Sequence, residues 1–243
     1  KDKKVLQWTE DESFCARLLP DGHLHILDGT DLSSAPLVEL TLAHPVNTFE
    51  FAPTRPRGNI KARLAVFLPD TRDDLQRVVG PAEVTIWEFV ASGAGSQLTA
   101  QERAKALPAS GQLAEMQWNS TGTALIAHCQ TEVDESGQSY YGGSRLVLMS
   151  HDGEYQKDLT EAEEGATSNG TSVQAIAWSP TRDEFILIHG FQPSQATLWS
   201  WDGRAKKASV AKVLLEKAHR NTIRFNQFGS LVCLAGFGNL AGQ

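Results

Sequence analysis

The sequence predicts an all-β fold, a WD-repeat-like β-propeller of about four complete four-stranded blades plus a partial fifth, forming a fragment of a larger propeller. Three observations predict it. Short strand-like runs are separated by turn residues along the whole chain. A unit of aromatic, turn and apolar strand recurs, with its aromatic at Trp8, Phe51, Trp118, Trp178 and Phe225. The intervals between these aromatics are roughly 40 to 70 residues, which suits blades with loop insertions. A β-sandwich would not repeat that unit five times.

Residues 173–203 show the unit best. Val173, Ala175 and Ala177 alternate with Gln174, Ile176 and Trp178. The stretch SPTRDE turns, FILIHGF is a buried strand, QPSQ turns, and ATLWSWDG is a third strand ending in Asp-Gly. An apolar inner strand followed by more exposed ones describes one blade. In chain order, VLQWTEDESFCARLLPDGHLHILDG forms the first unit. VNTFEFAPT, KARLAVFLPD and AEVTIWEFV form the second, and LAEMQWNSTGTALIAHCQ with SRLVLMSHDG the third. NTIRFNQFGSLVCLAGFG closes the chain with two strands. The blades are expected at 5–42, 43–110, 111–170 and 171–217, with a partial blade at 218–243. DTRDDLQRVVGPA is an insertion in the second blade. The stretch SGAGSQLTAQERAKALPASG carries one helical turn or an outer strand. Unpaired blade edges at the two ends of such an arc would be sticky.

The 243 residues, 41% apolar, suffice for a well-buried core. A net charge of −7 argues against nonspecific nucleic-acid binding by the whole surface, but not by local patches. Cys15, Cys129 and Cys233 are odd in number, lie in strand-like runs and have no CxxC spacing. They are expected to be buried, reduced thiols of a cytoplasmic protein. No run approaches the ~18 apolar residues of a membrane helix. The sequons at Asn119 and Asn169 are read as chance matches.

No cofactor, metal or catalytic set is expected. His23 and His25 alternate with Leu24 and Ile26, which puts them on the wet face of a strand. Ser144 lacks a GxSxG elbow. Glu132, Asp134 and Glu135 do not have EF-hand spacing and read as a solvated acidic loop. Gly236, Gly238 and Gly242 imitate a dinucleotide fingerprint, yet no helix follows them, so they read as turn and close-approach glycines.

Charge is uneven. From Arg204 to Arg224 the basic residues are Arg204, Lys206, Lys207, Lys212, Lys217, Arg220 and Arg224, and Glu216 is the only acid. RPRGNIKAR supplies Arg55, Arg57, Lys61 and Arg63 with no acid among them. The candidate RNA and ribosome contacts are therefore Arg55, Arg57, Lys61, Arg63, Arg204, Lys206, Lys207 and Lys212. Their lysines are expected to lack acidic neighbours and so to be available to phosphates.

QWTEDESFCAR, TEVDESGQSYYGGSRL, HGFQPSQATLW and CLAGFGNLAGQ, in this order, resemble successive blades of the eukaryotic translation initiation factor 2A family. The resemblance runs across nearly the whole chain. Tyr140-Tyr141-Gly142 and the LAGFGNL ending are its most specific parts. GFQPSQAT lacks the Met and Lys usual there, and AKKASVAKVLLEKAH is longer and more basic than the family's connection. The resemblance implies an internal piece of a longer propeller, beginning after its first blades and lacking a flexible tail. It also implies a non-catalytic role in delivering initiator methionyl-tRNA to the small ribosomal subunit, with mRNA and other initiation factors as further partners and no membrane. A more distant resemblance, to the propeller of the b subunit of translation initiation factor 3, implies instead a scaffold that binds proteins at the ribosome.

Overall fold

The structure, a computed structural model, describes residues 4–53, 58–75, 77–92, 97–131, 143–160 and 172–241. The first sheet comprises β1 (Leu6–Trp8), β2 (Phe14–Leu18), β3 (Leu24–Asp28) and β4 (Val38–Leu40). The second begins with β5 (Thr48–Phe51) and β6 (Ile60–Leu68). A small hairpin, β7 (Thr71–Arg72) and β8 (Val78–Gly80), precedes its remaining strands β9 (Glu83–Ser92) and β10 (Gln97–Ala106). The third holds β11 (Leu113–Trp118), β12 (Ala124–Gln130), β13 (Ser144–Ser150) and β14 (Gln156–Asp158). The fourth holds β15 (Val173–Trp178), β16 (Glu184–His189), β17 (Ser194–Asp202) and β18 (Lys207–Ala218). A two-stranded sheet of β19 (Thr222–Phe225) and β20 (Val232–Ala235) follows.

All four larger sheets are antiparallel meanders, and their first strands neighbour one another in series, β1 to β5, β11, β15 and β19. That serial arrangement is the blade topology of a propeller. The segment 97–106, ambiguous in sequence, is the outer strand β10.

One local device builds most of the inner hairpins. The residue after the aromatic is Thr9, Asn119, Ser179 or Asn226, and its N–H donates to the carbonyl of Phe14, Ala124, Glu184 or Leu231 at 2.8–3.0 Å. Its side chain also caps the turn. Thr9 Oγ1 accepts the Phe14 N–H at 3.1 Å, Asn119 Oδ1 those of Thr123 and Ala124 at 2.8 and 2.9 Å, and Asn226 Oδ1 that of Leu231 at 3.0 Å. A short side-chain oxygen at this position substitutes for a backbone turn bond. Asn119 is fully buried, and its amide donates to Asp183 at 2.7 Å in the next blade, so its sequon does not present the amide to solvent.

The core lies between blades. Alternate residues of each strand point to opposite faces, so Ala16, Leu24 and Ile26 of the first blade meet Phe49, Leu64 and Phe89 of the second. Phe67, Val84 and Ile86 of the second meet Trp118, Leu125 and Met149 of the third. Ile126, Leu146 and Leu148 then meet Trp178, Phe185 and Trp199 of the fourth. Phe185 lies stacked on Trp199, with ring centroids 5.7 Å apart, and edge-on to Trp178 at 4.9 Å. Trp118 and Trp178 are buried, as expected of inner-strand anchors, while Phe225 is half-buried against the cluster of Ile186 and Ile188.

Two sequence expectations change. Cys15 and Cys129 are buried but Cys233 is exposed. LVCLA is a continuous apolar run that reads as a buried strand, yet β20 has only β19 beside it among the described residues, so no further strand covers Cys233. His23 and His25 do face away from Leu24 and Ile26, but that face is half-buried, and the Nδ1 atoms of both histidines are enclosed without partners. The glycine reading stands for the described positions. A Cβ on Gly236 would sit 2.5 Å from the His219 carbonyl oxygen, and Gly238 has φ +67°.

Candidate nucleic-acid interface

The candidate cations fall into two groups on different sheets. Arg55 and Arg57 lie outside the described residues, as do Glu132, Asp134, Glu135, Tyr140 to Gly142 and Asn169. Lys61 and Arg63 are on β6 of the second blade, whereas Arg204, Lys206, Lys207 and Lys212 share the β17–β18 hairpin and its outer strand.

Arg63 is committed inside the protein. Its Nε donates to Glu88 Oε1 at 2.7 Å, and its Nη1 reaches the Gly122 carbonyl of the third blade at 3.4 Å. Glu88 is buried and its other oxygen takes Arg103 Nε at 3.0 Å. His151 Nδ1 lies 4.0 Å from the same carboxylate. Burial, and then the Arg63 guanidinium, push the His151 imidazole below its ordinary value, which keeps it neutral at pH 7. This cluster ties the second blade to the third.

Lys206 is committed too, which overturns the expectation that the lysines of this hairpin lack acidic neighbours. Its Nζ reaches Asp152 Oδ2 and Glu154 Oε2, each at 2.6 Å, on the β13–β14 turn of the third blade. Burial pushes the Asp152 carboxyl up. Hydrogen bonds from Lys206, from Ser150 Oγ and from the Glu154 N–H outweigh it and hold the group well below the usual carboxylate range. Lys206 has a left-handed backbone, φ 48°, at the end of the β17–β18 turn.

Arg204, Lys207 and Lys212 stay exposed. Asp202, across from Lys207 in the ladder, spends its Oδ1 on the N–H groups of Arg204 and Ala205 at 2.8 and 2.9 Å, so it shapes the turn. The exposed cations therefore line the rim at the outermost strand of the fourth blade. An open cavity of about 600 Å³ at the ends of the inner strands is lined by Glu10, Glu50, Trp118 and Trp178, and its carboxylates repel phosphate. Among the described residues no helix is long and apolar enough to cross a membrane, and no group of three or more His, Cys, Asp or Glu could hold a metal ion.

Comparison with known proteins gives a consistent picture. The family model described as eukaryotic translation initiation factor eIF2A matches residues 110–243. The eukaryotic translation initiation factor 2A of Dictyostelium discoideum is 30% identical over 240 residues, which is 98% of this chain and 34% of that protein. Its namesake in Schizosaccharomyces pombe is 28% identical over 238 residues, 98% of this chain and 36% of that protein. The chain thus spans about a third of the length of these relatives. A crystal structure of a eukaryotic initiation factor superposes with a TM-score of 0.65 at 22% identity, covering 95% of this chain and 47% of that one, a likeness of fold.

Proposed function

This chain belongs to the eukaryotic translation initiation factor 2A family, and from that premise we propose that it is a non-catalytic docking section of such a factor. In this reading the factor works in the cytoplasm, where it brings initiator methionyl-tRNA to the small ribosomal subunit and meets mRNA and other initiation factors there. Blades locked by buried aromatics and buried ion pairs offer a stiff surface to large partners, and docking needs no reacting group.

The observation that carries the proposal is the exposure of Arg204, Lys207 and Lys212 along one rim. From Ala205 to Gln243, Glu216 is the sole acid. Cations so placed neutralise phosphates and release counterions, while the acidic remainder of the surface is repelled and restricts contact to that rim.

Co-sedimentation of the full-length factor with small ribosomal subunits over a salt series tests this. The double substitution Lys207→Glu/Lys212→Glu is expected to weaken association at low salt. It should also flatten the salt slope by roughly 0.7 to 0.9 for each phosphate no longer neutralised. Unchanged affinity and slope would reduce the rim to solvated side chains.

A further inference from the structure

The outermost strand of the fourth blade is unlike those of the other three. β4 and β14 have three residues each, and so short an edge is a poor template for another strand. β10 has ten, but its exposed side chains are Gln97, Gln101, Glu102, Arg103 and Lys105, all polar. β18 has twelve, and its exposed side chains include Val210 at 46% and Val213 at 42%. It ends the sheet order β15-β16-β17-β18, so alternate N–H and C=O groups along it point away from β17. That edge faces outward from the propeller, where the stacking of blades on one another does not reach it.

A bulge sorts the side chains of β18. Val210 lies opposite Trp199 and Lys212 opposite Leu198, so Ala211 is the extra residue. Without it Val210 and Val213, three apart in sequence, would point to opposite faces. With it Val213 lies opposite Thr197, which shares a face with Trp199 and accepts its indole N–H at 3.0 Å. The two valines therefore share one face of the sheet. Lys207, opposite Asp202, and Lys212, opposite Leu198, share the other. Both lysines are exposed, and among the described residues neither is in an ion pair.

We propose that β18 is a docking edge for an extended acidic strand of a protein partner, one whose side chains alternate between apolar groups and carboxylates. The strand adds to the sheet through main-chain hydrogen bonds, which supply affinity, while the side chains on its two faces supply specificity. On one face its apolar residues meet Val210 and Val213. On the other its carboxylates meet Lys207 and Lys212. A phosphate has no use for the backbone edge or for the valines, and a second copy of β18 would bring lysines against lysines. The inference goes beyond the phosphate reading above and requires no RNA.

Fluorescence anisotropy with the full-length factor and a labelled synthetic peptide of alternating valine and glutamate tests the edge. Two further peptides have the same sequence, one N-methylated at its valines and the other at its glutamates. Only one of these two rows of amides faces β18. One methylated peptide is therefore expected to bind about tenfold more weakly or worse, and the other to keep its affinity. Val210→Lys/Val213→Lys should weaken the unmethylated peptide, although it adds positive charge. No binding of the alternating peptide would overturn the docking edge, as would equal behaviour of the two methylated peptides. Unchanged or tighter peptide binding in the double lysine variant would overturn it too. Tighter binding of both the peptide and RNA there would make β18 a merely cationic surface. Failure of the phosphate reading is separate, because it appears as an unchanged salt slope of ribosome association in Lys207→Glu/Lys212→Glu, which N-methylation of a peptide does not touch.

Discussion

The indole Nε1 of Trp178 donates to the backbone carbonyl of Gln117 at 3.1 Å, joining the inner strand of the fourth blade to that of the third. The same bond appears one blade earlier, where Trp118 Nε1 donates to the Glu50 carbonyl at 3.1 Å. Each acceptor stands immediately before the aromatic of its own blade, Glu50 before Phe51 and Gln117 before Trp118. The anchors therefore do two things at once. Their area fills the gap between blades, and their N–H finds its acceptor on the inner strand of the preceding blade.

Substitution separates these contributions. Trp178→Phe keeps most of the ring but removes the bond from Nε1 to the Gln117 carbonyl, and should cost about 0.5–1.5 kcal/mol. Trp178→Ala also opens a cavity against Phe185 and should cost about 3–5 kcal/mol. Both are read as shifts of the denaturant midpoint at constant slope. Equal losses for the two variants would assign the whole effect to the hydrogen bond.

Lys206 should behave as a pH-dependent clasp between the third and fourth blades. Asp152 has a lowered value in the folded state, so its contribution is present above its unfolded value, near ~3.9. That contribution is lost as pH falls through the lower folded value. Hydrogen bonds to Asp152 and then Glu154 raise the Lys206 value. Its contribution is therefore full below the unfolded value of about 10.4 and fades as pH climbs through the folded one. Lys206→Ala should lower the melting temperature across the neutral range, and the deficit relative to the parent should shrink at both extremes. A deficit that stays constant down to strongly acidic pH would show that the ion pair is not its source.

Much of this architecture was legible in the sequence because its carriers are local. An aromatic, a small polar residue and a turn recur in order, and most of the inner hairpins close within a few residues. What escaped depends on distance along the chain or on what covers a surface. Asp152 lies 54 residues before Lys206, and only the stacking of blades brings the two together. Arg63 looked available because no acid flanks it, yet Glu88 faces it from β9, across the sheet. Cys233 sits in an apolar run like a core residue, but such a run does not say whether anything packs on it.

Arg63 and Glu88 give the sharpest contrast between a cation that holds the fold and one that meets a partner. Glu88 is buried, and the Arg63 side chain is only 13% exposed. Removing one member of a buried pair leaves the other charge uncompensated, which costs about 3–5 kcal/mol. Arg103 remains on the second oxygen of Glu88 in Arg63→Ala, so the loss should fall at the low end, about 3 kcal/mol. The neutral His151 adds no charge to make up the difference. Replacing Arg63 and Glu88 together with Met and Leu removes both buried charges and should recover part of the loss, although Arg103 then loses its partner. The decisive comparison is with the rim. Under conditions where both variants are folded, Arg63→Ala should lower the denaturation midpoint and leave the salt slope of ribosome association unaltered. Lys207→Glu/Lys212→Glu should do the reverse. A flattened salt slope in Arg63→Ala, with an unchanged midpoint, would return Arg63 to the interface and contradict its assignment to the core.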